Sequence, residues 1–83
     1  MKVQLRYFAS IREALGMGGE FFDTQANTLA ALRAELVARG GAYADALAPS
    51  RSVRVALNQT MSDETAALSE GAEVGFFPPV TGG

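Results

Sequence analysis

The residues best suited to chemistry in this sequence form its C-terminal segment, Phe76-Phe77-Pro78-Pro79-Val80-Thr81-Gly82-Gly83. The two prolines favour a stiff, extended path because proline fixes φ. The two glycines then lead to a free α-carboxylate, and a backbone without side chains can enter a narrow slot in a partner. The last five residues would reach roughly 16 Å beyond a folded domain. An ordinary frayed terminus is the alternative, but the Pro-Pro spacer favours a functional tail.

The predicted tail consists of five residues: Pro79, Val80, Thr81, Gly82 and Gly83. We expect residues 1–78 to form one folded domain and residues 79–83 to form a flexible extension, because 83 residues leave no room for a second core. A hydrophobic fraction of 48% and a charged fraction of 19% are typical of a globular fold rather than a disordered chain.

The composition excludes several classes of function. The chain has no Cys and no His, which excludes disulfides, thiol nucleophiles, the usual zinc sites and a Ser-His-Asp triad. We therefore expect no metal site and no catalysis by this chain alone. No apolar run approaches the roughly 20 residues that span a bilayer, and the N-terminus lacks an apolar signal region, so we expect a cytoplasmic protein without membrane contact.

Charge is distributed unevenly along the chain. Residues 1–54 hold seven basic and five acidic side chains, whereas residues 55–83 hold four acidic side chains and no basic one. This distribution argues against nucleic-acid binding and favours a basic partner near the C-terminus. A solvated acidic loop explains the same pattern equally well.

Hydrophobic periodicity predicts an α+β fold. Val3, Leu5 and Tyr7 alternate with polar residues as in a half-buried strand, and Leu29, Leu32 and Leu36 form the apolar stripe of a main helix. That helix should cover one face of a mixed sheet around a single core. The predicted strands span residues 3–7, 20–23, 53–57, 60–61 and 73–77, and a helical turn spans residues 43–47.

Local signals predict where the helices begin and end. Ser10 and Glu13 have the spacing of a capping box, which would start a short helix at residue 11 that ends at Gly16. Asn27 or Thr28 can cap the main helix. Within that helix, Glu35 and Arg39 have the i,i+4 spacing of a stabilising ion pair.

Strand parity also predicts an apolar patch that the main helix does not cover. If Val3, Leu5 and Tyr7 face the helix, Phe8 faces away, and Phe77 does so by the same alternation in the last strand. Met61 lies in a strand too short to be covered. We expect Phe8, Met61, Phe77 and the adjoining Pro78 to form a surface for a protein partner. Coverage by a loop or by the tail is the alternative.

Three segments carry a resemblance to a known family: Ala56-Leu57-Asn58-Gln59-Thr60, Leu68-Ser69-Glu70-Gly71-Ala72-Glu73-Val74, and the terminal segment from Phe76 to Gly83. In these segments the sequence closely resembles the small subunit of molybdopterin synthase. The opening segment Tyr7-Phe8-Ala9 also fits this family. Two residues depart from its usual pattern, since Ala72 stands where the family has Asp and Gly75 where it tends to have Ala.

The resemblance implies a ubiquitin-like β-grasp fold and a sulfur carrier. In that role an E1-like activating enzyme uses ATP to adenylate the Gly83 carboxylate, which is then converted to a thiocarboxylate, 1-thioglycine. The tail enters the large subunit of molybdopterin synthase, within a heterotetramer, and donates sulfur to a cyclic pyranopterin phosphate. Two donations build the dithiolene that molybdenum cofactor biosynthesis requires. The resemblance implies no cofactor bound to the chain itself.

Three alternatives stay open at this point. A thiamine-pathway sulfur carrier has the same fold and also ends in Gly-Gly, although such chains are usually shorter and lack the Phe-Phe-Pro-Pro approach. A ubiquitin-like modifier would join Gly83 to a lysine amine of another protein. A β-grasp interaction module would use no chemistry and would not need the terminal glycines.

Overall fold

The computed structural model describes residues 1–79, so the predictions for Val80, Thr81, Gly82 and Gly83 lie outside the described residues. The five strands are β1 (Lys2–Tyr7), β2 (Gly19–Asp23), β3 (Arg54–Leu57), β4 (Thr60–Ser62) and β5 (Glu73–Phe77). The three helices are α1 (Ala9–Leu15), α2 (Leu29–Ala38) and α3 (Gly41–Leu47).

The strands form one mixed sheet in the order β2-β1-β5-β3-β4. The central strands β1 and β5 are parallel, and the remaining pairs are antiparallel. Because β1 and β5 run in the same direction, their C-terminal ends lie at the same edge of the sheet. The predicted α+β class is confirmed, and the arrangement is that of a ubiquitin-like β-grasp fold.

The core lies between the sheet and α2, as the sequence predicts. Val3, Leu5 and Tyr7 of β1 are all buried, and the α2 stripe of Leu29, Leu32 and Leu36 is completely buried. Burying each large apolar side chain contributes roughly 1.5–3 kcal/mol before the loss of entropy is counted. The remaining members of the core cluster come from other parts of the chain: Ile11, Ala26, Leu47, Val55, Leu68, Ala72, Val74 and Phe76.

The predicted helix ends are partly correct. Thr28 caps α2, since its hydroxyl oxygen accepts a hydrogen bond from the Ala31 amide at 3.2 Å. Gly16 ends α1 with a φ of 74°, a conformation that glycine adopts without strain. The capping box is wrong: α1 begins at Ala9, and no side chain caps it. Its N-cap is Phe8, whose amide bonds to Phe76 at 3.2 Å, so the sheet fixes where the helix begins.

The predicted ion pair between Glu35 and Arg39 is also wrong. Glu35 instead accepts hydrogen bonds from the Thr24 hydroxyl at 2.6 Å and from the Gln25 amide at 3.1 Å. Arg39 pairs with Glu20 of β2 at 3.3 Å. Glu35 and Arg39 therefore each bind residues outside α2 and not one another.

A buried arginine ties α2 to the connection between α3 and β3. Arg33 is 7% exposed, and its guanidinium donates to the carbonyls of Leu47, Ala48 and Arg51 at 2.6–2.8 Å. It also pairs with Glu64 at 3.0 Å. Carbonyls at a helix C-terminus attract a cation, so Arg33 stabilises the end of α3.

Within residues 1–79, no helix combines the length and the apolar character needed to cross a membrane.

Candidate functional site

Two aromatic rings meet where the parallel central strands end. Phe8 follows β1, Phe77 is the last residue of β5, and their preceding residues Tyr7 and Phe76 are register partners. The two rings stack with centroids 4.3 Å apart and planes only 3° from parallel. Each ring is half-buried because it covers part of the other. The stacked pair lies on the face of the sheet opposite α2, over Gly75.

Gly75 lies beneath this aromatic pair. A Cβ at this position would lie 3.1 Å from a carbon of the Phe8 ring and 3.2 Å from a carbon of the Phe77 ring. Both distances are shorter than ordinary van der Waals contact. The absence of a side chain at Gly75 therefore allows both rings to pack closely against the sheet.

The stacked rings form one side of an open depression of about 510 Å³, which we call the docking depression. Met61 of β4 lies across from them and is 52% exposed. The docking depression is lined by Phe8, Ala9, Arg54, Met61, Phe77, Pro78 and Pro79. The structure thus brings together all four residues predicted for the outer patch. That a partner binds there stays a prediction, as does the domain boundary after residue 78.

Sequence reasoning missed Arg54 as a lining residue. Its Cα is the register partner of Phe77 across β3 and β5, and directly opposed residues project on the same face of a sheet. The alternation of residues within β3 does not show which residue of β5 lies opposite Arg54. Only the pairing of the two strands shows that Arg54 lies beside Phe77. Ala9 was missed as well; its φ of 51° turns the chain from β1 into α1 at the rim of the depression.

Phe21 is a large apolar residue that the sequence analysis also missed. It is 70% exposed, more than any other large hydrophobic residue that the structure describes. It is the register partner of Gln4, on the other side of β1 from β5, and it does not line the docking depression. The alternation of Phe21 and Phe22 in a short strand could have indicated one outward ring.

None of the four C-terminal acidic residues lines the docking depression. Glu64 pairs with Arg33, Glu70 accepts from the Lys2 amide, and Asp63 accepts from Thr65. The Thr65 amide and hydroxyl lower the pKa of Asp63 below its ordinary value. The alternative of a solvated acidic surface therefore describes these residues better than a shared binding site does.

A polar cluster supports the sheet on the α2 side. The hydroxyls of Tyr7 and Tyr43 both donate to one carboxylate oxygen of Glu20, at 2.8 and 2.6 Å. Burial, followed by this hydrogen bond to Glu20, raises the pKa of Tyr7 and of Tyr43. Burial acts against ionisation of Glu20, but the hydrogen bonds from Tyr43, Tyr7 and Arg39 together outweigh it and lower its pKa. The cluster is structural, since its members are already paired with one another.

Comparison with known proteins places the chain in a family. Residues 5–83 match the model of the ThiS family. The molybdopterin synthase sulfur carrier subunit of Haemophilus influenzae is 38% identical over 77 residues, which cover 93% of this chain and 94% of the relative. The protein of the same name from Escherichia coli is 36% identical over 81 residues, covering 98% of this chain and 99% of the relative.

A solved structure supports the same assignment. It is the protein–protein complex of subunits 1 and 2 of the molybdopterin-converting factor from Helicobacter pylori. One of its chains matches with a TM-score of 0.69 and 28% identity, and the alignment covers 100% of both chains. The fold, the sequence relatives and the whole-chain coverage agree, and the chain belongs to the ThiS family and, within it, to the molybdopterin synthase sulfur carrier subunits.

Proposed function

We propose that this chain carries sulfur on the terminal carboxyl group of Gly83 and delivers it to the large subunit of molybdopterin synthase. The observation that carries the proposal is the position of the docking depression. It is lined by Pro78 and Pro79, which directly precede the last four residues of the sequence. A partner that covers the depression therefore holds the chain at the point from which Gly83 must reach an active site.

The chemistry begins with an unreactive group. An α-carboxyl has a pKa of about 3.5, so it is ionised at neutral pH and is a poor electrophile. An activating enzyme would transfer AMP from ATP to this carboxylate and release pyrophosphate. A sulfide equivalent, supplied by a sulfur donor, would then displace AMP and leave a thiocarboxylate on Gly83. Activation consumes ATP, so we expect the cycle to run in the cytoplasm.

The second half of the cycle uses the thiocarboxylate as a nucleophile. Its sulfur would form a bond to a carbon of the cyclic pyranopterin phosphate while a carbon–oxygen bond at that carbon breaks, so that sulfur replaces oxygen and a thioester joins the two molecules. Water would then hydrolyse the thioester, which returns the Gly83 carboxylate and leaves the sulfur on the pterin. Two loaded copies supply the two sulfurs of one dithiolene. Binding through the docking depression would replace a bimolecular encounter by positioning. We expect the large subunit to supply the proton transfers, since this chain has no His and no Cys.

The proposal assigns partner binding to the folded domain and sulfur transfer to the terminal glycines, and a deletion can test the two roles separately. Deleting Gly82 and Gly83 should abolish sulfur transfer in a reconstituted synthase, while the melting temperature stays within about 1 °C of the wild type because the core lies in residues 3–76. Affinity for the large subunit, measured by calorimetry, should fall only in part because the docking depression is intact. Normal dithiolene synthesis by the deletion variant would refute the proposal and would support a simple interaction module.

A further inference from the structure

The charged side chain that lines the docking depression is basic, although the protein as a whole is acidic. Arg54 lines it and is exposed. Arg6 lies on the other side of the aromatic pair, with its guanidinium carbon 5.9 Å from the centre of the Phe8 ring. The whole chain has a net charge of −2, yet no acidic side chain lines the depression. The positive charge of Arg54 in this depression favours an acidic group on whatever binds there.

Arg54 has no carboxylate partner among residues 1–79. The ion pairs in this part of the chain are Arg33–Glu64 and Arg39–Glu20. Asp63 and Glu64 share a neighbouring depression with Arg54, but Thr65 binds the Asp63 carboxylate and Arg33 binds that of Glu64. Each of these carboxylates has one oxygen bonded to another side chain, and neither forms an ion pair with Arg54 in residues 1–79. The Arg54 guanidinium therefore has donors left for another molecule.

The surroundings of Arg54 favour a specific contact over a diffuse one. Its register partner is Phe77, whose ring borders the depression. An apolar partner side chain in the depression would remove water from this region and strengthen an ion pair at its rim. A guanidinium also offers two parallel donors that match both oxygens of a carboxylate.

We propose that Arg54 recognises a carboxylate of the large subunit, next to an apolar side chain of the same subunit that enters the docking depression against Met61 and Phe77. This inference rests on the proposed function and adds the chemistry of the partner surface: apolar at its centre and acidic beside it. The acidic composition of residues 55–83 favours a basic partner. The residues that line the depression favour an acidic one, because they include Arg54 and no acidic side chain.

The test is titration of the purified large subunit with the full-length carrier and three variants, at roughly 0.05 and 0.5 M salt. Arg54→Gln removes the charge, Arg54→Lys keeps the charge without the two-donor geometry, and Lys2→Gln is the matched control. Lys2 is exposed at the opposite end of β1 and does not line the depression. All variants should melt as the wild type does, because both side chains are at the surface.

We expect Arg54→Gln to raise the Kd about tenfold at low salt and less at high salt, because added salt already weakens the wild-type ion pair. Arg54→Lys should fall between Arg54→Gln and the wild type, and Lys2→Gln should match the wild type. Equal affinities for Arg54→Gln and Lys2→Gln would overturn the inference, and tighter binding of Arg54→Gln would place a basic group opposite it. In both cases the wild type still binds and transfers sulfur; failure of the wild type to bind would instead refute the proposed function itself.

Discussion

Replacing Phe77 by Ala separates the docking role of the aromatic pair from its role in the fold. The change removes a half-buried ring that stacks on Phe8 at 4.3 Å. Such a pair contributes roughly 0.5–1.5 kcal/mol beyond its buried area, so the total loss of stability should be about 1–2 kcal/mol. In a domain of this size the melting temperature should then fall by roughly 4–16 °C. Truncating a central interface aromatic costs about 2 kcal/mol or more of binding free energy, which raises the Kd about thirtyfold.

Phe21→Ala is the matched control. Phe21 projects from the same sheet face but is 70% exposed and lies outside the docking depression, so its loss should change neither melting nor affinity. Calorimetric titration of the large subunit gives the Kd, and thermal unfolding by circular dichroism gives the stability. A Phe77→Ala variant that melts lower but binds within twofold of the wild type would show that the ring serves the fold alone.

Three further perturbations test other parts of the structure. Gly75→Ala places a Cβ 3.1–3.2 Å from the two stacked rings; it should cost about 1 kcal/mol of stability and weaken binding of the large subunit, both measurable by melting and titration. Arg33→Met leaves the carbonyls at the end of α3 without their donor and should lower the free energy of unfolding by roughly 2–4 kcal/mol in urea denaturation; no change would show that water replaces the guanidinium. The pKa of Glu20 is lowered from 4.5 in the fold, so its contribution to stability is present above that pH and is lost as the pH falls below it. The pKa values of Tyr7 and Tyr43 are raised from 10.0, so their contribution to stability is present below pH 10 and is lost as the pH rises above it. Glu20→Gln should therefore reduce the loss of stability at both low and high pH, as measured by denaturation across the pH range. An unchanged dependence of stability on pH would contradict this assignment.

The elements that sequence reasoning predicts well are those set by local pattern. Alternation in β1 identifies the buried side chains of Val3, Leu5 and Tyr7 because the side-chain period of a strand is two. The same parity places Phe8 and Phe77 on the opposite face, where their rings stack.

The features that it misses depend on partners distant in sequence. The start of α1 follows from the bond between Phe8 and Phe76, not from the Ser10–Glu13 spacing. The position of Arg54 at the docking depression follows from its register with Phe77. The register between β3 and β5 cannot be read from the periodicity of either strand.

The intact mass of the full-length chain tests the central claim most directly. After incubation with ATP, the activating enzyme and a sulfur source, the mass should rise by the difference between one sulfur and one oxygen atom, and fragmentation should locate the change on Gly83. Addition of the large subunit and the cyclic pyranopterin phosphate should return the original mass. An unchanged mass under conditions that support dithiolene synthesis, or sulfur located on any other residue, would contradict the account.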